Sequence, residues 1–105
     1  MEKPTITING KTYELPRPKC GVWRKLVTFE DEHGNFFVPD SIEKRCEFLA
    51  EIYGGVFSAT DLLDNLFLDE IAQCYRDCVN FIISTVAGKY EKIEKNVDAG
   101  DKMTP

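Results

Sequence analysis

Asn9-Gly10 stands between two alternating stretches, Thr5-Ile6-Thr7-Ile8 and Lys11-Thr12-Tyr13-Glu14. A two-residue connection of this composition calls for a type I′ turn, because both of its central residues must take positive φ. That turn sets the register: Ile8 faces Lys11, Thr7 faces Thr12 and Ile6 faces Tyr13. Period-two alternation then puts Ile6, Ile8, Tyr13 and Leu15 on one face, and the threonines and Glu14 on the other. An isolated two-stranded hairpin is marginal in water. The apolar face must therefore rest on something, and the helical patterns that follow supply it.

Pro16 and Pro18 bracket Arg17, so the chain leaves the hairpin through an extended hinge. A helix is expected from about Lys19–Val22. Val22, Trp23, Leu26, Val27 and Phe29 or Glu30 recur at three- and four-residue steps and mark its inward face. Trp23 is placed in the core beneath the hairpin, while Arg24, Lys25 and Thr28 point away. The acidic run Glu30-Asp31-Glu32 opposes the helix dipole and favours fraying of the last turn. Gly34 is available for a left-handed cap.

Phe36-Phe37-Val38-Pro39 is an apolar loop that either tucks over the helices or anchors a partner. Asp40 reads as an N-cap, with Glu43 completing a capping-box pattern. The helix it opens runs over Ser41–Tyr53, with Ile42, Cys46, Leu49 and Ile52 or Tyr53 inward, and stops at Gly54-Gly55. Ser58 or Thr60 caps a short helix over Asp61–Leu66. The longest helix follows from about Leu68 to Ala87 and on toward Lys95. Leu68, Ile71, Ala72, Tyr75, Cys78, Val79, Ile82, Ile83 and Val86 form its apolar stripe, and Cys74 and Phe81 widen it toward a central helix covered on more than one side. Asn96–Pro105 reads as a loose polar tail. The expected fold is mainly α with a small β component: three to four helices in one compact domain over residues 1–95, with the hairpin at about residues 4–15, and a flexible tail over 96–105.

With 105 residues, 43% of them hydrophobic and 30% charged, the chain has the composition of a folded globular domain. No apolar run reaches the roughly 18 residues that a membrane span needs. The N-terminus lacks the apolar core of a signal peptide, so the chain is read as cytoplasmic. Its four cysteines, at 20, 46, 74 and 78, are then expected to be reduced, packed thiols. Cys74 and Cys78 lie one helical turn apart, but no Cys-x-x-Cys or paired-histidine motif accompanies them, so no metal site is expected. The net charge of −5 is uneven: residues 1–30 carry six Lys or Arg against three Asp or Glu, and the remainder is acidic. Such a chain repels nucleic acid overall, although its basic third could meet an acidic partner.

No catalytic constellation is present in the sequence. It lacks a phosphate-binding glycine loop and a nucleophile elbow, and its single histidine removes most Ser-His and Cys-His schemes. Asp61, Asp64, Asp69 and Glu70 could hold a cation, but they suit better the N-termini of two successive helices. No cofactor and no enzymatic activity are expected. The residues that suggest a binding surface are Arg17, Lys19, Arg24 and Lys25, beside Trp23, together with Phe36 and Phe37. Arg and Trp would also suit phosphate contact and base stacking, which keeps a nucleic-acid reading open.

The order of a short strand, Asn9-Gly10-Lys11-Thr12-Tyr13-Glu14-Leu15-Pro16-Arg17-Pro18-Lys19, and then a helix with Trp23-Arg24-Lys25-Leu26-Val27 resembles the start of tail assembly chaperones of long-tailed phages and prophages. The acidic, mostly helical remainder is similar in kind, with Asp61-Leu62-Leu63-Asp64 ahead of a long last helix. The resemblance implies a non-enzymatic protein that binds the tape measure protein during virion morphogenesis in the host cytoplasm and is absent from the finished particle. Members of that family often make a longer form by ribosomal frameshifting, and a folded domain ending in a loose polar stretch is compatible with a short form. Possible self-association, no membrane and no nucleic acid complete the expected partners. Two other readings are a small prophage nucleic-acid-associated regulator and a structural tail-completion subunit.

Overall fold

The computed structural model describes the backbone of residues 3–101 and the side-chain surroundings of residues 3–87. In chain order these form β1 (Thr5–Ile8), β2 (Lys11–Glu14), α1 (Cys20–His33), α2 (Ser41–Ile52), α3 (Ala59–Asn65) and α4 (Leu68–Asp101). The fold is therefore mainly helical, with an N-terminal antiparallel hairpin.

The hairpin follows its turn chemistry. Asn9 and Gly10 take φ of 51° and 81°, and the strands pair Thr5 with Glu14, Ile6 with Tyr13, Thr7 with Thr12 and Ile8 with Lys11. On the outer face, the Thr7 and Thr12 hydroxyls meet at 2.9 Å. On the inner face, Ile6, Ile8 and Leu15 are buried. The support beneath them differs from the expected one. β1 rests on α3, Tyr13 packs edge-on against Phe57 at 5.2 Å, and the Tyr53 hydroxyl donates to the Pro4 carbonyl at 3.2 Å. Trp23 does not lie under the hairpin and is 41% exposed.

α2 is the hub, packing against α1, α3 and α4. Cys46, Phe48, Leu49, Ile52 and Tyr53 supply its core face, and they meet Leu26 and Phe29 of α1, Leu62 of α3, and Ile71, Tyr75, Cys78, Phe81 and Ile82 of α4. Burial at this scale, about 25 cal/mol per Å² of apolar surface, is the main force holding the four helices together. Over its described side chains, residues 68–87, α4 buries a single broad face. Ile83 and Val86, expected inside, are exposed, as is Leu68 at its start. α4 runs through Gly88 to Asp101, into the stretch read as a polar tail; residues 102–105 of that tail lie outside the described residues.

The helix ends show which local signals operate. Ser58 and Asp61 form a reciprocal capping box: Ser58 Oγ accepts from the Asp61 amide at 3.1 Å, and Asp61 Oδ2 accepts from the Ser58 amide at 2.9 Å. At the start of α4, Glu70 Oε1 accepts from the Phe67 amide at 2.8 Å. Asp40 occupies the N-cap position of α2 but makes no side-chain cap. There the Ser41 hydroxyl turns back instead and donates to the Phe36 carbonyl at 2.7 Å. α1 keeps Glu30, Asp31 and Glu32 within the helix, and Gly34 ends it with right-handed φ of −66°, not the left-handed cap. Glycine is required at 34 for a different reason: a Cβ there would stand 2.5 Å from the Glu30 carbonyl oxygen.

Candidate functional site

The four cations expected to form one surface are divided between two. Arg17 and Lys19 line an open groove of about 840 Å³ together with Pro18, Cys20, Trp23, Ile82, Thr85 and Val86. The extended hinge places both cations beside the first turn of α1, and Lys19 is its N-cap residue. Trp23 and Val86 are exposed along this groove, while Ile82 is buried. The result is an apolar trough carrying two cations between the start of α1 and the middle of α4.

Arg24 and Lys25 face elsewhere. They line a depression shared by α1 and α2, together with Glu32, Lys44, Glu47 and Glu51. The Lys25 ammonium pairs directly with the Glu51 carboxylate. The basic character that the sequence shows at 24–25 is thus opposed by α2 acids, in an exposed setting where such pairs contribute little to stability.

Phe36 and Phe37 also separate. Phe37 is 93% exposed, and its amide is held by Asn35 Oδ1 at 2.9 Å. Phe36 lies over the guanidinium of Arg45, 4.6 Å from carbon to ring centroid. The two readings of this loop therefore fall on different residues: Phe36 tucks in, and Phe37 projects.

Arg45 is the polar residue of consequence that was missed. It is 3% exposed. Tyr75 stacks on its guanidinium at 4.7 Å, and Phe29 approaches at 5.7 Å. Its Nη1 and Nη2 donate to the carbonyls of Ser41 and Gly34 at 3.4 Å each, the outer limit for such bonds. Its Nε is buried without a partner. No carboxylate pairs with it among the described residues. The nearby Glu30 carboxylate instead accepts from the Tyr75 hydroxyl. Burial raises the Tyr75 phenol above its ordinary value, and the Glu30 bond and charge add to the rise while the Arg45 charge opposes it. The signal for Arg45 was in the spacing: with Ile42, Leu49 and Ile52 it falls at three- and four-residue steps on the inward face of α2.

Cys46 and Cys78 are buried, Cys74 is half-buried and Cys20 is exposed, and all four are free thiols. Burial is the main cause that pushes the Cys46 thiol up to about 11 and the Cys78 thiol up to about 12. These are packed, unreactive groups. Cys78 also lies 3.8 Å from the Tyr53 hydroxyl. The acidic residues at the α3–α4 junction do capping work at Asp61 and Glu70, and no cluster of metal-ligating groups occurs among the described residues. No helix is long and apolar enough to cross a membrane among the described residues. Compared with protein-family models, curated proteins and solved structures, the chain matches none.

Proposed function

We propose that this protein is a non-enzymatic assembly chaperone of phage tail morphogenesis that shields apolar helical segments of a tape measure protein. The observation that supports this reading most directly is the Trp23 groove. An exposed tryptophan and the exposed Val86 line an apolar trough together with Arg17 and Lys19. Grooves of this kind receive the apolar face of an amphipathic helix. Exposed aromatics supply much of the energy of such contacts, and cations beside them select partners with acidic flanks. The resemblance of residues 5–29 to tail assembly chaperones names the client. Phe37 offers a second apolar contact outside the groove.

The test is co-expression with a long helical tape-measure-type protein. The two should co-purify, and the client should stay soluble. Because the contact buries apolar surface, it should survive moderate salt, whereas a contact made only through exposed cations would be screened. Val86→Asp should abolish co-purification without moving the thermal midpoint by more than a degree or two, since Val86 is exposed. Charge reversal at Arg24 and Lys25 should leave client binding intact, because those residues face α2. The nucleic-acid reading makes the opposite demand: tight, salt-sensitive binding to duplex DNA, lost on that charge reversal. A chain that binds DNA and ignores the client would replace this proposal.

A further inference from the structure

Arg45 is a buried cation that forms no salt bridge among the described residues, although Glu30 lines the same cleft. Burying an unpaired charge is costly, and proteins normally offset it with a carboxylate or with full hydrogen bonding. Three aromatic rings and two long carbonyl contacts meet part of that demand, but Nε is left with no acceptor. The same guanidinium lines a cleft of about 400 Å³ between the loop after α1 and the outer side of α4. Arg76 and Asn80 add a second cation and an amide on the α4 side, and Phe36, Ala72 and Val79 give apolar surface.

We propose that this cleft binds a carboxylate joined to an apolar group, with Arg45 as its counter-ion and Arg76 at its outer edge. Entry requires the Phe36 ring to swing off the guanidinium. That ring is 37% exposed and is held there by stacking, while its backbone is pinned separately by Ser41. A planar carboxylate suits the fork of a guanidinium, which can donate two parallel bonds to it. The apolar part of the ligand would take the place of the Phe36 ring against Val79 and Ala72. Glu30 borders the cleft and is the natural competitor, since its own negative charge is held nearby by the Tyr75 hydroxyl. This site is distinct from the Trp23 groove and does not depend on the client assigned to that groove.

The experiment is an NMR titration of the intact protein that follows the Arg45 Nε–Hε signal and the ring protons of Phe36 and Tyr75. The probes are phenylacetate and a capped helical peptide carrying one glutamate between leucines. Either should shift the Arg45 signal saturably, and the tighter binder tells whether the carboxylate is a free small molecule or a protein side chain. Benzyl alcohol, which lacks the charge, and inorganic phosphate at equal ionic strength should not. Glu30→Gln should tighten binding roughly threefold or more by removing a like charge close to the site. Arg45→Met should abolish it; should that variant fail to fold, the wild-type Nε shift and the Glu30→Gln gain still decide. An Arg45 signal unmoved by both carboxylates, equal shifts with phosphate, or weaker binding in Glu30→Gln would each overturn the proposal.

Discussion

Trp23 and Leu49 show how far residue type is from residue role. Both lie on helical apolar stripes, yet Leu49 has no exposed surface and Trp23 keeps 41% of its own. Leu49→Ala should therefore cost about 2–5 kcal/mol, the range for a fully buried aliphatic truncated in place. Trp23→Ala should cost less, because Trp23 keeps 41% of its surface exposed, and under the proposed function it should abolish client capture. Urea titrations of both variants, compared with wild type, check this order; a larger loss in Trp23→Ala would return Trp23 to the core. The thiols divide in the same way. Only Cys20 is exposed, so a thiol reagent at neutral pH should label one cysteine quickly. Cys46 and Cys78 should react only on unfolding, because burial keeps both protonated.

Among the elements, α3 depends most on a local device. It spans seven residues, well below the length at which an isolated helix persists in water. The Ser58–Asp61 box and the burial of Leu62 hold it, and the hairpin rests on it. Ser58→Ala should cost about 1 kcal/mol. Faster amide exchange should appear in α3 and in β1 together, and not in α1. At this helix the sequence left the cap between Ser58 and Thr60, and the structure gives it to Ser58 in a box with Asp61. The same pattern at Asp40 and Glu43 failed. Ser41, one residue on, is itself buried and bonded to Phe36, and that contact sets how the chain enters α2. At Asp40 a different local contact, between residues five apart in the chain, stands where the capping box was expected.

At the scale of the whole molecule, three thiols and two tyrosines in and beside the core have neutral forms favoured by folding: Cys46, Cys74, Cys78, Tyr53 and Tyr75. Cys46 rises from 9.0 to about 11 and Cys78 to about 12, both mainly through burial, and Tyr53 and Tyr75 move in the same direction for the same leading reason. The folded state then holds more protons than the unfolded state once the pH passes the unfolded values, so stability falls as pH rises. The thermal midpoint should be level between pH 6 and 8 and should drop from about pH 9 upward. Cys46→Ala should flatten part of that slope, and melts recorded by circular dichroism across this range would show it. A midpoint unchanged to pH 11 would mean that these groups are solvated.

The sequence by itself determined the hairpin, its turn and its register, because an Asn-Gly pair admits few backbone solutions and period-two alternation leaves one face to bury. It also determined that three to four helices follow, of which the structure shows four, and nearly where each starts, because apolar spacing, proline and paired glycines act within a few residues. Which helix supports the hairpin, and therefore which apolar residues stay outside, was decided only by the tertiary structure. Several apolar stripes compete for one small core, and α2 with α3 took the place that spacing had assigned to Trp23. The same packing separated Arg17 and Lys19 from Arg24 and Lys25, which adjacency in the chain had grouped. It also buried Arg45, which was not singled out from the sequence although its spacing lies on the inward stripe of α2. Periodicity shows that a face is apolar; only the assembled helices show what covers it.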